Sequence, residues 1–187
     1  MKTITEKQAI NLLKKYSTDK NSFANVLAHS RKVQELAVSL AKRIQNANVD
    51  FVRIAAILHD IGRFNCPVGR KTIWHGVEGA KILRKEGLRK YALVAERHLG
   101  VGISKEDIKR QKLPLPLKDY MPKTIEEKII SYADNLLFGS RIGTIQEVIK
   151  RFEKEVSPFY AKKIIKLHNE LMKLSGSKNI IHESKKA

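Results

Sequence analysis

The sequence predicts an all-α, single-domain helical bundle. Three observations carry this expectation. Apolar residues recur at spacings of three, four and seven along most of the 187 residues. No segment alternates apolar and polar residues convincingly as a half-buried strand would. Several helix starts carry their own capping residues.

Taken in order, residues 4–16 predict a short amphipathic helix carrying Ile4, Ile10, Leu12 and Leu13. Residues 22–46 predict a longer one with an apolar stripe of Val26, Val33, Leu36, Leu40 and Ile44. Residues 50–60 are apolar nearly all round, as a helix packed on several sides should be. Further helices are expected over 75–86, 88–99, 104–111, 124–138, 141–155 and 158–174. Thr124 with Glu127, and Thr144 with Glu147, read as capping boxes, and Ser157-Pro158 places proline in a first turn. The stretch "LPLPLKDYMP" (113–122) is excluded from helix because its three prolines fix φ and remove donors, so an ordered surface loop is expected. Helices over 141–174 follow a core of about 22–140, and a frayed tail is expected over 175–187.

Composition narrows the function. A chain of this length buries roughly two-thirds of its unfolded surface and needs no metal or disulfide merely to fold. Cys66 is the only cysteine, which excludes an internal disulfide and fits a reducing interior. The N-terminus, "MKTITEKQAINLLKKY", lacks an uninterrupted apolar core, and no stretch approaches the ~20 apolar residues of a membrane span. A cytoplasmic protein with no membrane partner is expected. The net charge is +18, of which residues 139–187 hold +6 (eleven Lys/Arg against five Glu). Charge spread in this way attracts phosphorylated small molecules and nucleic acid alike, and it does not favour nucleic acid as the primary partner.

The chemistry lies in polar residues on apolar faces. His29 lies on the stripe of the second helix, His59 follows Val52, Ala55 and Ala56, and His98 follows Tyr91 and Val94. Asp134 sits between Ile130 and Leu137, and His75 opens a helix. A lone interior histidine is most simply a core residue bonded to a backbone carbonyl. Several histidines and carboxylates turned into one modest core need a shared reason, since an unpartnered buried polar group costs roughly 2–7 kcal/mol. Imidazole and carboxylate are the ligand set of zinc, iron and manganese.

His29, His59-Asp60 and Asp134 resemble the H…HD…D signature of the HD-domain superfamily of metal-dependent phosphohydrolases, and "LHDIGR" is similar to its central motif. His75 in "HGVEGA" and His98 in "ERHLG" match the further histidines of binuclear members, such as HD-GYP phosphodiesterases and HD-type diadenosine-tetraphosphate hydrolases. "YADNLLF" around Asp134 is also typical. The GYP element is absent, which weakens a cyclic-di-GMP substrate. The segment from "ERHLG" to "YADNL" looks most like a small group of archaeal and bacterial HDIG proteins.

The resemblance implies two divalent cations (Fe, Mn or Zn). His29, His59 and Asp134 would hold one, His75 and His98 the other, and Asp60 both. Coordination lowers the pKa of water towards ~7, giving a nucleophile for phosphate-ester hydrolysis. Arg63, Lys71 and Arg141 are candidates for binding the substrate phosphate, with Gly62 letting the backbone bend ahead of Arg63. Glu78 is a candidate second partner or acid/base group, while Trp74 is expected to pack and His168 and His182 lie outside the pattern. The expected function is hydrolysis of a nucleotide or other small phosphorylated compound. A diiron HD-fold oxygenase and an RNA-directed phosphatase or phosphodiesterase are alternatives. A non-catalytic regulatory module is a third, disfavoured by the complete ligand set.

Overall fold

The computed structural model describes residues 3–66, 69 and 72–176. Helices dominate it, as the periodicity predicts. α1 (Glu6–Tyr16) starts at Thr5, whose hydroxyl accepts the Gln8 N–H while the Gln8 side chain accepts the Thr5 N–H. α2 (Lys20–Ala41) buries Val33, Leu36, Ala37 and Leu40, and packs against both α3 (Val49–Leu58) and α7 (Ile125–Asn135). It stops at Ala41 rather than at 46. The chain then turns, and Asn48 caps α3 by accepting the Phe51 N–H at 2.9 Å.

α3 buries Val52 and the run from Ile54 to Leu58. A 3-10 turn over Ile61–Phe64 follows it at once. α4 (His75–Lys85) and α5 (Arg89–Arg97) pack on one another, and α4 also packs on that turn. α6 (Lys105–Gln111) leads into the proline-rich loop, which is ordered as expected. Tyr120 anchors the loop. Its ring is fully buried in a small apolar cluster with Val77, Ile108 and Leu115, and its backbone pairs with Ile103.

Between 124 and 155 the structure departs from the expected helices. α7 ends at Asn135, and a short antiparallel hairpin of β1 (Leu137–Phe138) and β2 (Arg141–Ile142) intervenes before α8 (Ile145–Glu155). The turn places Gly139 at φ 61, a left-handed conformation that glycine adopts without strain and that interrupts a helix. α9 (Pro158–Ser175) packs on α8 and α7, and Gly176 ends it in the left-handed conformation. One apolar core joins α1 to α5 with α7 and reaches Val148, Phe152, Ile164 and Leu171. Among the described residues, no helix is long and apolar enough to cross a membrane. Lys71, His182 and the tail from 177 lie outside the described residues.

Candidate metal centre

Five elements bring six side chains to one point. His29 comes from the middle of α2, His59 and Asp60 from the end of α3, and His75 from the first position of α4. His98 caps the C-terminus of α5, and Asp134 lies in the last turn of α7. His59, Asp60, His75 and His98 are buried, and His29 and Asp134 are partly so.

The backbone fixes how three of the rings present themselves. His59 Nδ1 lies 2.7 Å from the Ala56 carbonyl oxygen, and His98 Nδ1 lies 2.8 Å from that of Ala95. His75 Nδ1 makes the same contact with the Thr72 carbonyl. A carbonyl only accepts, so each Nδ1 carries a hydrogen, and in the neutral ring each Nε2 turns its lone pair inward. His75 Nε2 and His98 Nε2 then face each other across 2.9 Å. Two lone pairs at that distance repel unless a proton or a metal cation lies between or beside them.

Asp60 divides the cluster. Its Oδ1 lies 3.2 Å from His75 Nε2 and 3.4 Å from His98 Nε2. Its Oδ2 lies 3.6 Å from His29 Nε2 and 3.9 Å from His59 Nε2. Asp134 Oδ1 completes the second group, 3.0 Å from His29 Nε2 and 3.8 Å from His59 Nε2. With metal–ligand bonds of about 2.1 Å, atoms sharing one ion stand about 3.0–3.4 Å apart. The spacings from Asp60 to His75 and His98 and from Asp134 to His29 therefore suit an ion, while those involving His59, and Asp60 to His29, are wider. Ligand atoms of His29, His59 and Asp134 all lie within 4.8 Å of one another, and so do those of His59, Asp60 and His98.

Two buried atoms test the fit. His29 Nε2 and His59 Nε2 have no hydrogen-bond partner. His29 is near Asp134 without hydrogen-bond alignment, an arrangement that suits a lone pair and a carboxylate directed at a common cation. The charges agree. Burial works against charge on Asp134, yet the adjacent His29 and His59 hold its carboxyl well below the usual range. Burial likewise opposes ionisation of Asp60, and the neighbouring histidines and Arg63 overcome it. Burial disfavours a charged His59, but Asp60 and Asp134 outweigh it and raise its pKa, marking a place that attracts positive charge. His75 is pushed down to about 3, first by burial, with His98 and Arg63 adding to it against Asp60. It is therefore a neutral donor at ordinary pH.

The remaining candidates separate. Arg63 Nε lies 3.3 Å from both Asp60 oxygens, while its Nη1 is buried with no hydrogen-bond partner. Gly62 does not serve as a flexible bend, for it is not at positive φ. It is a contact surface, where the 3-10 turn meets the backbone of His75 and Gly79 on α4. Arg141 does not line the cleft at the centre. It forms a two-pronged pair with Glu147 at 2.8 and 3.1 Å, because Glu147 is already fixed as the capping residue of α8. Glu78 bonds Lys81 at 2.6 Å along its own helix rather than a histidine. Trp74 packs on the Tyr120 cluster, and His168 bonds the Tyr132 hydroxyl at 2.6 Å.

A cleft of about 700 Å³ opens on the centre, within the ~300–1,000 Å³ range of small-molecule sites. His75, His98, Asp134 and Arg63 line it together with Arg151 and Phe152 from α8 and Tyr160 from α9. Arg151 carries no sequence signal, being one of 37 basic residues. Another hollow, of about 910 Å³, lies between Thr5, Asn48, Phe51 and Tyr91, and none of the six residues lines it.

The HD domain model matches residues 26–139, a span that contains all six residues. An uncharacterized protein of Methanocaldococcus jannaschii is 43% identical over 174 residues, covering 89% of this chain and 96% of that one. tRNA (cytidine(56)-2'-O)-methyltransferases of Thermoplasma volcanium and Picrophilus torridus are 38% and 36% identical, each over 91% of this chain. This chain spans about half of their length, 48% and 47%. Among solved structures, the HD domain of the Listeria monocytogenes phosphodiesterase PgpH aligns with a TM-score of 0.52 and 19% identity, over 90% of this chain and 97% of that one. The same domain in complex with cyclic-di-AMP aligns with a TM-score of 0.53 and 20% identity, over 94% and 97%. At that identity the likeness is one of fold. The sequence signature, the helical architecture and the match over 26–139 place this chain in the HD-domain family.

Proposed function

We propose that this protein is a metal-dependent phosphohydrolase acting on a nucleotide or another small phosphorylated compound, with two divalent cations held by the six residues. The observation that carries the reading is the division of Asp60, whose two oxygens face two different histidine pairs. His29, His59 and Asp134 would hold one cation and His75 and His98 the other, with Asp60 available to both. Divalent cations so held supply Lewis acidity and bring the pKa of water towards ~7.

The protein's own part is orientation. Carbonyls at positions 56, 72 and 95 lock the three rings with Nε2 inward, so the donors are preorganised. Arg63 uses Nε on Asp60 and keeps Nη1 for a substrate phosphate oxygen, which gives the orphaned donor a partner. Leu99, Val101 and Phe152 give the cleft an apolar lining beside these polar groups. An RNA end is the second reading of the substrate. It is favoured by the relatives named as tRNA methyltransferases, in which the matched region fills about half of a longer chain.

The test is metal content per chain, by elemental analysis of protein purified without chelators or a histidine tag. The result is followed by a phosphatase and nucleotide screen with and without O2. About two equivalents and O2-independent phosphate release are expected. One equivalent overturns the shared site, strict O2 dependence points to oxygenase chemistry, and no uptake of Mn²⁺, Fe²⁺ or Zn²⁺ overturns the whole reading.

A further inference from the structure

Arg151 sits where no family feature places it. It lies on α8, beyond the region that matches the HD model, yet it lines the cleft together with Asp134 and Asn135. Its guanidinium donates to the Asn135 carbonyl at 2.7 Å and the Leu137 carbonyl at 3.2 Å. Its Cζ lies over Phe138, 4.4 Å from the ring centroid, and Phe152 is the next ring at 5.9 Å. The ring and two carbonyls fix the fork in place. Neither neutralises it, and among the described residues no carboxylate pairs with Arg151.

A guanidinium has five N–H donors, and the carbonyls take two. A cation held at a cleft by two carbonyls and a ring, with donors to spare and no ion pair although Glu155 lines the same cleft, is a site for an anion. Arg63 already serves the phosphate at the metal centre. From this geometry we infer that Arg151 holds a second phosphate of the substrate, which is therefore a nucleotide bearing at least two phosphate groups. This inference rests on the phosphohydrolase reading. Two sources share the chemistry: a free di- or bisphosphorylated nucleotide, and the 5′-phosphorylated end of an RNA strand.

The test is calorimetric binding to Mn²⁺-loaded protein of AMP, ADP, adenosine 3′,5′-bisphosphate and a 5′-phosphorylated RNA trinucleotide. In the native protein at least one ligand with several phosphates should bind tenfold or more tightly than AMP. In Arg151→Gln that advantage should vanish while AMP affinity and metal content stay within twofold, and Arg151→Lys should restore part of it. Preference for the trinucleotide names the RNA end as the source, and preference for ADP or the bisphosphate names the free nucleotide. A guanidinium that only clamps the end of α7 would weaken all four ligands equally on substitution, or none, and either result overturns the inference. If the native protein takes up metal and binds AMP without discrimination, this inference alone falls. If it takes up no metal and binds none of them, the phosphohydrolase reading falls as well.

Discussion

Gly62 lies so close to the start of α4 that a Cβ placed on it would stand 1.9 Å from the His75 carbonyl oxygen and 2.4 Å from the Gly79 nitrogen. Both obstacles are backbone, so no side chain can yield. The contact brings Asp60, two residues before Gly62, within reach of His75. Gly62→Ala should therefore drive the 3-10 turn away from α4. We expect a loss of at least about 3 kcal/mol, the upper end of ordinary overpacking, and a Tm lower by about 6 °C or more. Metal capacity should drop towards one equivalent, and scanning calorimetry with elemental analysis checks both. A variant with native Tm and full metal content would contradict the packing argument.

The two histidine pairs should be separable by substitution. His75→Gln removes a donor from one group only and should leave about one equivalent of metal, as should His29→Gln for the other. Asp60→Asn should lower occupancy at both, because its oxygens face both pairs. Equilibrium dialysis with Zn²⁺ or Mn²⁺ reads the stoichiometry, and far-ultraviolet circular dichroism should show helix content largely unchanged.

Arg63→Gln should leave metal content intact and weaken substrate binding. A charge-assisted hydrogen bond contributes about 1.5–3 kcal/mol, so a KM roughly 10–100-fold higher is expected. Steady-state kinetics on the first phosphorylated substrate that turns over provides the measurement. Loss of metal with KM unchanged would assign Arg63 to holding Asp60 instead.

The tie between α6 and α9 should loosen in acid. Burial alone would raise the Asp107 pKa, but the Ser104 N–H, Lys163 and Tyr160 outweigh it and hold it at about 2. A carboxyl whose pKa is depressed on folding stabilises fully above its unfolded pKa of 3.8, and that contribution fades as pH falls through about 2. Asp107→Asn should be less stable than the native protein at neutral pH, and the two melting curves should converge between pH 4 and 2. A gap independent of pH would show that the carboxylate charge is not what ties α6 to α9.

Much of this was legible in the sequence because its signals are local. The 3.6-residue period located the helices, and Thr124, Thr144 and Ser157 marked three helix starts where they are found. The six polar residues stood out because they interrupt apolar faces, and the structure does bring them together. What escaped reading is what depends on contacts between distant segments. Nothing in the spacing showed that Gly62 and Gly79 meet, that Glu147 would take Arg141 away from the cleft, or that Arg151 would reach back to the end of α7. The hairpin after Asn135 was missed because two-residue strands have no period to detect.

α8 and α9 contribute part of the cleft's lining, and the six polar residues belong to the region before residue 140. Exposed positions of the last two helices that face the cleft can therefore vary without changing any of the six polar residues, whereas Arg151 and the core positions of α8 and α9 cannot vary so freely, because they pack on α7. Exchanging the exposed positions for another member's would be a direct way to move selectivity between relatives.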